Sequence, residues 1–289
     1  MIIAVVGPTG VGKTKLSIKL AQKYDAVIVN FDAVQVYSFL NIGSAKVTEE
    51  EKENVKHLML DVKEPDEEYS VKEYQEDARK VLNDYKDRNI ILVGGTGLYL
   101  SALLYDYRFT DDKSSDTFED YTNDELYQMA LEKDENMQIH KNNRQRLIRF
   151  LNKDISNICP AKLLYKDAIV IGLTTNRDNL YEKINNRVDK MFESGLLEEV
   201  KDLYQKYPSS KVLHSAIGYK EIIDYLNGNI SLDTAKDDIK KKSRHYAKRQ
   251  YTWFNNQMDV TWFNTDYDNF DNTVNEVISY VENKKSKSN

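Results

Sequence analysis

At 289 residues, 40% of them apolar, the chain is long enough for one or two globular domains with a sizeable core. A formal charge of −6 argues against a protein that coats nucleic acid non-specifically and leaves only a local basic groove open. One cysteine, Cys159, excludes an internal disulfide framework, four scattered histidines without a C-x-x-C make zinc a poor reading, and no apolar run approaches the ~18 residues of a membrane span.

The chain opens MIIAVVGPTGVGKT. Ile2 to Val6 form a buried-strand pattern, and an apolar-periodic helix over 13–24 places Leu16, Ile18, Leu20 and Ala21 inward. Between them stands G-x-x-x-x-G-K-[ST], the pattern of a phosphate-binding loop in its required context. Its glycines let backbone N–H groups turn around a phosphate. The helix start adds partial positive charge, Lys13 adds a full one, and Thr14 is placed to hold Mg²⁺. The loop predicts a ligand with at least two linked phosphates. A strand beginning at residue 2 leaves no room for a leader peptide, so the cytoplasm is the expected compartment.

A second strand over 26–30 leads into Phe31-Asp32-Ala33-Val34-Gln35-Val36-Tyr37. Ligands of parallel α/β sheets lie beyond the carboxyl ends of strands, which puts Asp32 on the rim of the phosphate loop. A carboxylate there is costly unless it binds metal or accepts a proton; the other reading is an Asp that caps the next helix. Residues 40–46 read as a loop, 48–54 as an acidic helical turn and 57–62 as a short strand. Ser70 and Glu73 form a capping-box pattern that opens a helix to about residue 85. Residues 89–93 are a buried strand that ends in Gly94-Gly95-Thr96-Gly97-Leu98-Tyr99. ATPases and GTPases often close the equivalent strand with an acidic residue that handles Mg²⁺. Here there is a glycine loop with one hydroxyl, and no D-x-x-G anywhere, so a plain nucleotide hydrolase is poorly supported.

Composition shifts at Phe109. Residues 110–124 are polar and acidic, 125–131 form a short helical patch, and 140–151 carry four positive charges and no negative one. Residues 110–164 therefore read as a small helical insertion, with 1–109 and 165–289 as the core domain. A strand returns at 168–171. Helices follow over 180–193, 196–207, 215–226 and 232–254, then a late strand at 260–263 and a last helix near 274–281. Inside the long helix, residues 240–250 hold six positive charges and no negative one. Lys241, Arg244, Lys248 and Tyr251 recur at helical spacing, which favours nucleic-acid contact over a solvated face, where signs alternate. The fold expected is α/β: a P-loop NTPase-like parallel sheet flanked by helices, with a small helical insertion domain.

Taken together, these segments resemble the tRNA dimethylallyltransferases, the isopentenyltransferases that prenylate an adenosine next to the anticodon. The resemblance is carried by residues 7–14 (GPTGVGKT), 32–37 (DAVQVY), 42–46 (IGSAK), 94–99 (GGTGLY), Gln145-Arg146-Leu147 with Arg149, 184–191 (INNRVDKM), 217–221 (IGYKE) and Lys248-Arg249-Gln250 before Trp253-Phe254. They run in the family's order over about residues 3–263. The phosphate loop alone is shared with many ATP-binding and other nucleotide-binding families; its combination with D-x-x-Q-x-Y and GGTGLY is specific.

The resemblance implies that Gly7, Pro8, Thr9, Gly10, Val11, Gly12, Lys13 and Thr14 hold dimethylallyl diphosphate rather than a nucleotide. It implies that Thr9 and Arg187 act catalytically on the diphosphate and that Mg²⁺ sits at Thr14. Asp32 is implied as the base on N6 of the acceptor adenine. The reaction implied gives N6-dimethylallyladenosine and diphosphate, at the adenosine 3′ of the anticodon (position 37). Contacts to the tRNA anticodon stem-loop are implied at Asp32, Ala33, Val34, Gln35, Thr96, Gln145, Arg146, Leu147, Ile148, Arg149, Arg244, Lys248, Arg249 and Gln250, with an unstacked loop base as the target and the enzyme a monomer. The chain departs from the family at Ala33 (usually Ser), at residues 141–144 (usually with Pro and Asp) and at Ser215 (usually Gln); its insertion is short, and it lacks the zinc-finger extension of eukaryotic members. The competing readings are a P-loop small-molecule or nucleotide kinase, an isopentenyltransferase acting on free adenosine phosphates, and a non-catalytic RNA-binding protein on a decayed frame.

Overall fold

The computed structural model describes residues 1–107, 109, 117–152 and 162–288. The strands are β1 (Ile2–Val6), β2 (Ala26–Asn30), β3 (His57–Leu58), β4 (Asn89–Val93), β5 (Ile169–Thr174) and β6 (Thr261–Asn264). They form one sheet in the order β3-β2-β4-β1-β5-β6, and every ladder in it is parallel. A parallel sheet covered on both faces needs strands apolar on both sides, which is why these segments are continuous apolar runs.

Helices of the same unit cover both faces: α1 (Lys13–Tyr24), α2 (Val71–Asp84), α3 (Gly97–Leu104), α6 (Arg177–Glu193), α7 (Leu196–Lys206), α8 (Tyr219–Leu226), α9 (Leu232–Gln257) and α10 (Phe270–Ser288); α4 (Asn123–Lys133) and α5 (Arg144–Asn152) belong to a separate unit. The pleat sorts β1 between the two cores. Ile3 and Val5 pack with Leu16, Leu20 and Val277 of α1 and α10. Ala4 and Val6 join Tyr74, Leu100, Val200, Ile222 and Phe254 from α2, α3, α7, α8 and α9. Each fully buried Val, Leu or Ile is worth roughly 1.5–3 kcal/mol, so both helical layers are firmly seated.

Local signals explain most boundaries. The Ser70 hydroxyl accepts from Glu73 N–H, and the Glu73 carboxylate from Ser70 N–H, as the capping box requires. β3 is shorter than the expected 57–62 because Met59 (φ 62°) and Asp61 (φ 53°) leave the extended region. The glycine turn after β4 runs straight into α3, whose residues are nearly all buried, so no amphipathic period announces it. α10 starts at Phe270 rather than near 274.

The chain divides into two compact units, Met1–Tyr105 with Leu163–Asn289 and Asp106–Lys162; composition placed these boundaries at 109/110 and 164/165. Within the smaller unit, Leu126, Ala130 and Leu147 are fully buried under Phe118, Met137, Ile148 and Leu151. Arg144 ties this unit together by donating to the carbonyls of Tyr121 (2.6 Å) and Phe118 (2.6 Å). Cys159 lies outside the described residues.

Candidate active site

The carboxyl ends of β1, β2 and β4 open onto one cavity of about 1030 Å³, lined among others by Lys13, Asp32, Gln35, Thr96, Arg187 and Gln250. After β1 the loop turns through Gly7 (φ 135°), Gly10 (φ 89°) and Gly12 (φ 91°), a left-handed path that only glycine follows without strain. Lys13 Nζ donates to the Pro8 carbonyl (2.9 Å), which folds the side chain back over its own loop. Arg187, from the middle of α6, donates through Nη1 to Thr9 Oγ (2.5 Å). Burial, and then the nearby Arg187 guanidinium, pull Lys13 down to about 7, with the Asp32 carboxylate opposing. Burial likewise holds Arg187 below its ordinary value, again opposed by Asp32. Two cations confined together beside the glycine loop make a wall suited to a polyanion.

The opposite wall is built from the turn after β2. Asp32 Oδ1 accepts from Val34 N–H (3.0 Å) and Gln35 N–H (3.4 Å), so one oxygen caps a turn, though no helix follows. Oδ2 has no hydrogen-bond partner among the described residues and faces Gly95, where an added Cβ would stand 3.2 Å from it and 2.3 Å from Gln250 Nε2. Gly95 is thus required by close approach, not by its dihedral angles. Thr96 Oγ accepts from Ala33 N–H (2.9 Å), and the Gln35 amide donates to the carbonyls of Ser44 (3.1 Å) and Ala45 (3.2 Å). Tyr246 of α9 lines the same cavity and reaches the Gly95 carbonyl (3.4 Å); burial and then the charge on Asp32 push its phenol up.

Gln250 and Leu147, both expected to touch RNA, are instead buried. Gln250 is buried: its carbonyl accepts from Thr9 N–H (3.0 Å) and its amide donates to Gly95 O (3.0 Å), so it bridges the two walls. Leu147 is fully buried in its own unit's core, whereas Gln145, Arg146 and Arg149 are exposed and Ile148 is half-buried. The six cations of residues 240–250, within α9, also divide. Lys240 pairs with Asp189 (2.6 Å), Lys242 with Glu221 (2.8 Å), and Arg244 donates to Asn185 (2.6 Å); Lys241, Lys248 and Arg249 remain exposed.

Other contributors went unread in the sequence. Thr265 Oγ donates to the Val11 carbonyl (3.0 Å) and Tyr267 OH to the Gly10 carbonyl (3.2 Å). The segment after β6 thereby occupies two carbonyls of the phosphate loop from behind. Its only sequence signal is a threonine and a tyrosine just past a strand end.

For a cation the local donor set is thin. Thr14 is exposed at the start of α1, and among the described residues no group of three or more His, Cys, Asp or Glu could hold a metal. Mg²⁺ fits only as a companion of bound phosphates. Among the described residues no helix is long and apolar enough to cross a membrane.

A family model described as IPP transferase matches residues 35–257. The tRNA dimethylallyltransferase of Anoxybacillus flavithermus is 44% identical, over 98% of this chain and 96% of its own. That of Fusobacterium nucleatum is 45% identical over 91% of each chain. Among solved structures, the tRNA isopentenylpyrophosphate transferase of Bacillus halodurans superposes with a TM-score of 0.75 at 37% identity, covering 99% of this chain and 98% of that one. A eukaryotic dimethylallyltransferase acting on tRNA reaches 0.82 at 27% identity, over 99% of this chain and 79% of that one.

Proposed function

The chain belongs to the IPP transferase family, and on that premise we propose that it transfers a dimethylallyl group from dimethylallyl diphosphate to N6 of the adenosine 3′ of the anticodon in tRNA. The observation that carries the reading is the opposition, within one cavity, of the phosphate-loop lysine with the α6 arginine bound to that loop and a carboxylate with one uncommitted oxygen. In the step proposed, the adenine N6 lone pair forms a bond to C1 of the prenyl group. The C1–O bond breaks, its electron pair leaves with diphosphate, and the N6 proton passes to Asp32 Oδ2. Lys13, Arg187 and the loop N–H groups meet the charge that develops on the leaving group, which is where electrostatic stabilisation counts most. Thr9 holds Arg187 in place through its hydroxyl. Thr14 would hold Mg²⁺, which would supply further positive charge to the leaving group.

Charge on the rest of the surface supports an RNA acceptor over a free nucleotide. Lys241, Lys248 and Arg249 are exposed on α9, and Gln145, Arg146 and Arg149 are exposed on α5. In this reading they meet the backbone of the anticodon stem-loop, and the target base leaves its stack to reach Asp32. The chain acts as a monomer in the cytoplasm. The test is incubation with dimethylallyl diphosphate, Mg²⁺ and tRNA, followed by mass spectrometry of the nucleosides. The expected product is an adenosine heavier by one C₅H₈ unit. Phosphoryl transfer from ATP to a small acceptor, without prenyl transfer, would overturn the proposal.

A further inference from the structure

Residues 39–46 follow the Asp32 turn and contribute Gly43, Ser44 and Ala45 to the cavity lining. Two non-glycine residues there, Phe39 (φ 67°) and Ala45 (φ 47°), lie in left-handed backbone, which costs energy and persists only where surrounding structure imposes it. Between them, the loop is held by a group from far along the chain. Glu199, in the first turn of α7, accepts from the N–H groups of Asn41 (3.1 Å), Ile42 (2.7 Å) and Gly43 (3.1 Å), and from Tyr219 OH (2.7 Å). The Tyr219 ring then lies flush on the loop: a Cβ added to Gly43 would stand 2.5 Å from it. With the loop so held, the Ser44 and Ala45 carbonyls take the Gln35 amide, and Gln35 N–H is one of the two that hold Asp32 Oδ1.

We infer that Glu199 is a positioning residue for the acceptor side of the cavity. Its carboxylate clamps residues 41–43 so that the next two carbonyls orient Gln35 beside Asp32. The role needs a group that only accepts. A glutamine in its place would turn an NH₂ toward backbone N–H donors and lose part of the clamp. Acidic residues in a first helical turn also complement the helix dipole, but Glu198 serves that purpose as well and takes none of these three amides.

This inference rests on the prenyl-transfer reading, and its test separates the two. Prenylation of an anticodon stem-loop RNA is measured at steady state, with dimethylallyl diphosphate binding by calorimetry alongside. Glu199→Gln is expected to lower kcat/KM for the RNA about 10- to 100-fold while donor affinity stays within about twofold. Tyr219→Phe, which keeps the three amide bonds, should lose less than about threefold. Gln35→Ala should add little on top of Glu199→Gln, because both act through one series of hydrogen bonds. Equal losses for donor and RNA, or full additivity with Gln35→Ala, would overturn the inference while leaving the function standing. Should Glu199→Gln prove too unstable to assay, Glu199→Asp, too short to reach all three amides, carries the same comparison. A wild-type protein that prenylates no RNA would overturn the functional reading; amide exchange at residues 41–43 would then decide the clamp, unchanged exchange in Glu199→Gln overturning it.

Discussion

On the phosphate-loop wall, Lys13 and Arg187 are confined near one another and both are held below their ordinary ranges, whereas on the facing wall Asp32 Oδ1, the Gln35 amide and the Thr96 hydroxyl already hold hydrogen bonds. The first wall carries unrelieved positive charge, so an anion that binds there recovers the energy spent in burying it. The second is prearranged: its turn is capped by the Asp32 carboxylate itself, its side-chain amide is held by backbone carbonyls, and its loop by the distant Glu199 carboxylate. Recognition on the donor side should therefore follow charge and pH. Recognition on the acceptor side should follow geometry.

The largest effect that tests this division is at Asp32. Asp32→Ala is expected to cut turnover about 10³-fold, the range of a lost general base, with donor affinity within about threefold by calorimetry. Matching losses in both would place Asp32 with the phosphate wall instead. Next comes Arg187→Ala, expected to cost about 10²-fold in kcat/KM for the donor through lost stabilisation of the leaving group. The same change removes the like charge beside Lys13, so the lysine should titrate higher, a shift that the proton uptake accompanying donor binding would report.

Lys13 sits at about 7 in the free protein, and a bound diphosphate raises it. Donor affinity is then fully present below about 7 and weakens as pH rises past it, by up to about tenfold per unit until the bound form also deprotonates. Calorimetry at pH 8 in buffers of different ionisation enthalpy should show a proton taken up on binding; no uptake would remove Lys13 from the charged wall. The smallest effect belongs to the exposed surface. Lys248→Ala with Arg249→Ala should weaken tRNA binding modestly and reduce the salt slope by about two, one for each phosphate no longer neutralised. An unchanged slope would return these residues to an ordinary solvated face.

Much of this was legible in the chain itself. The phosphate loop, the buried strands and the rim position of Asp32 follow from short-range signals: glycines where the backbone must run left-handed, apolar runs where both faces are covered, and a carboxylate just past a strand end. Asp32 also shows why two readings stayed open, since one oxygen caps a turn and the other is uncommitted. α3 carries no amphipathic period because nearly all of it is buried, and β3 stops short of residue 62 because of left-handed backbone at Met59 and Asp61, which has no sequence mark.

What the sequence by itself determined, then, is the glycine path of the first loop and the layer architecture around it, because both rest on contacts between near neighbours or on apolar periodicity. Only the tertiary structure decided which polar groups are committed. Gln250 reads as one more member of a basic RNA-facing run, yet it holds Thr9 from 241 residues away. Arg187 meets Thr9 across 178 residues, Thr265 meets Val11 across 254, and Glu199 meets the 41–43 amides across more than 150. A hydrogen bond is decided by where two atoms meet in space, and spacing along the chain carries no record of a partner so distant.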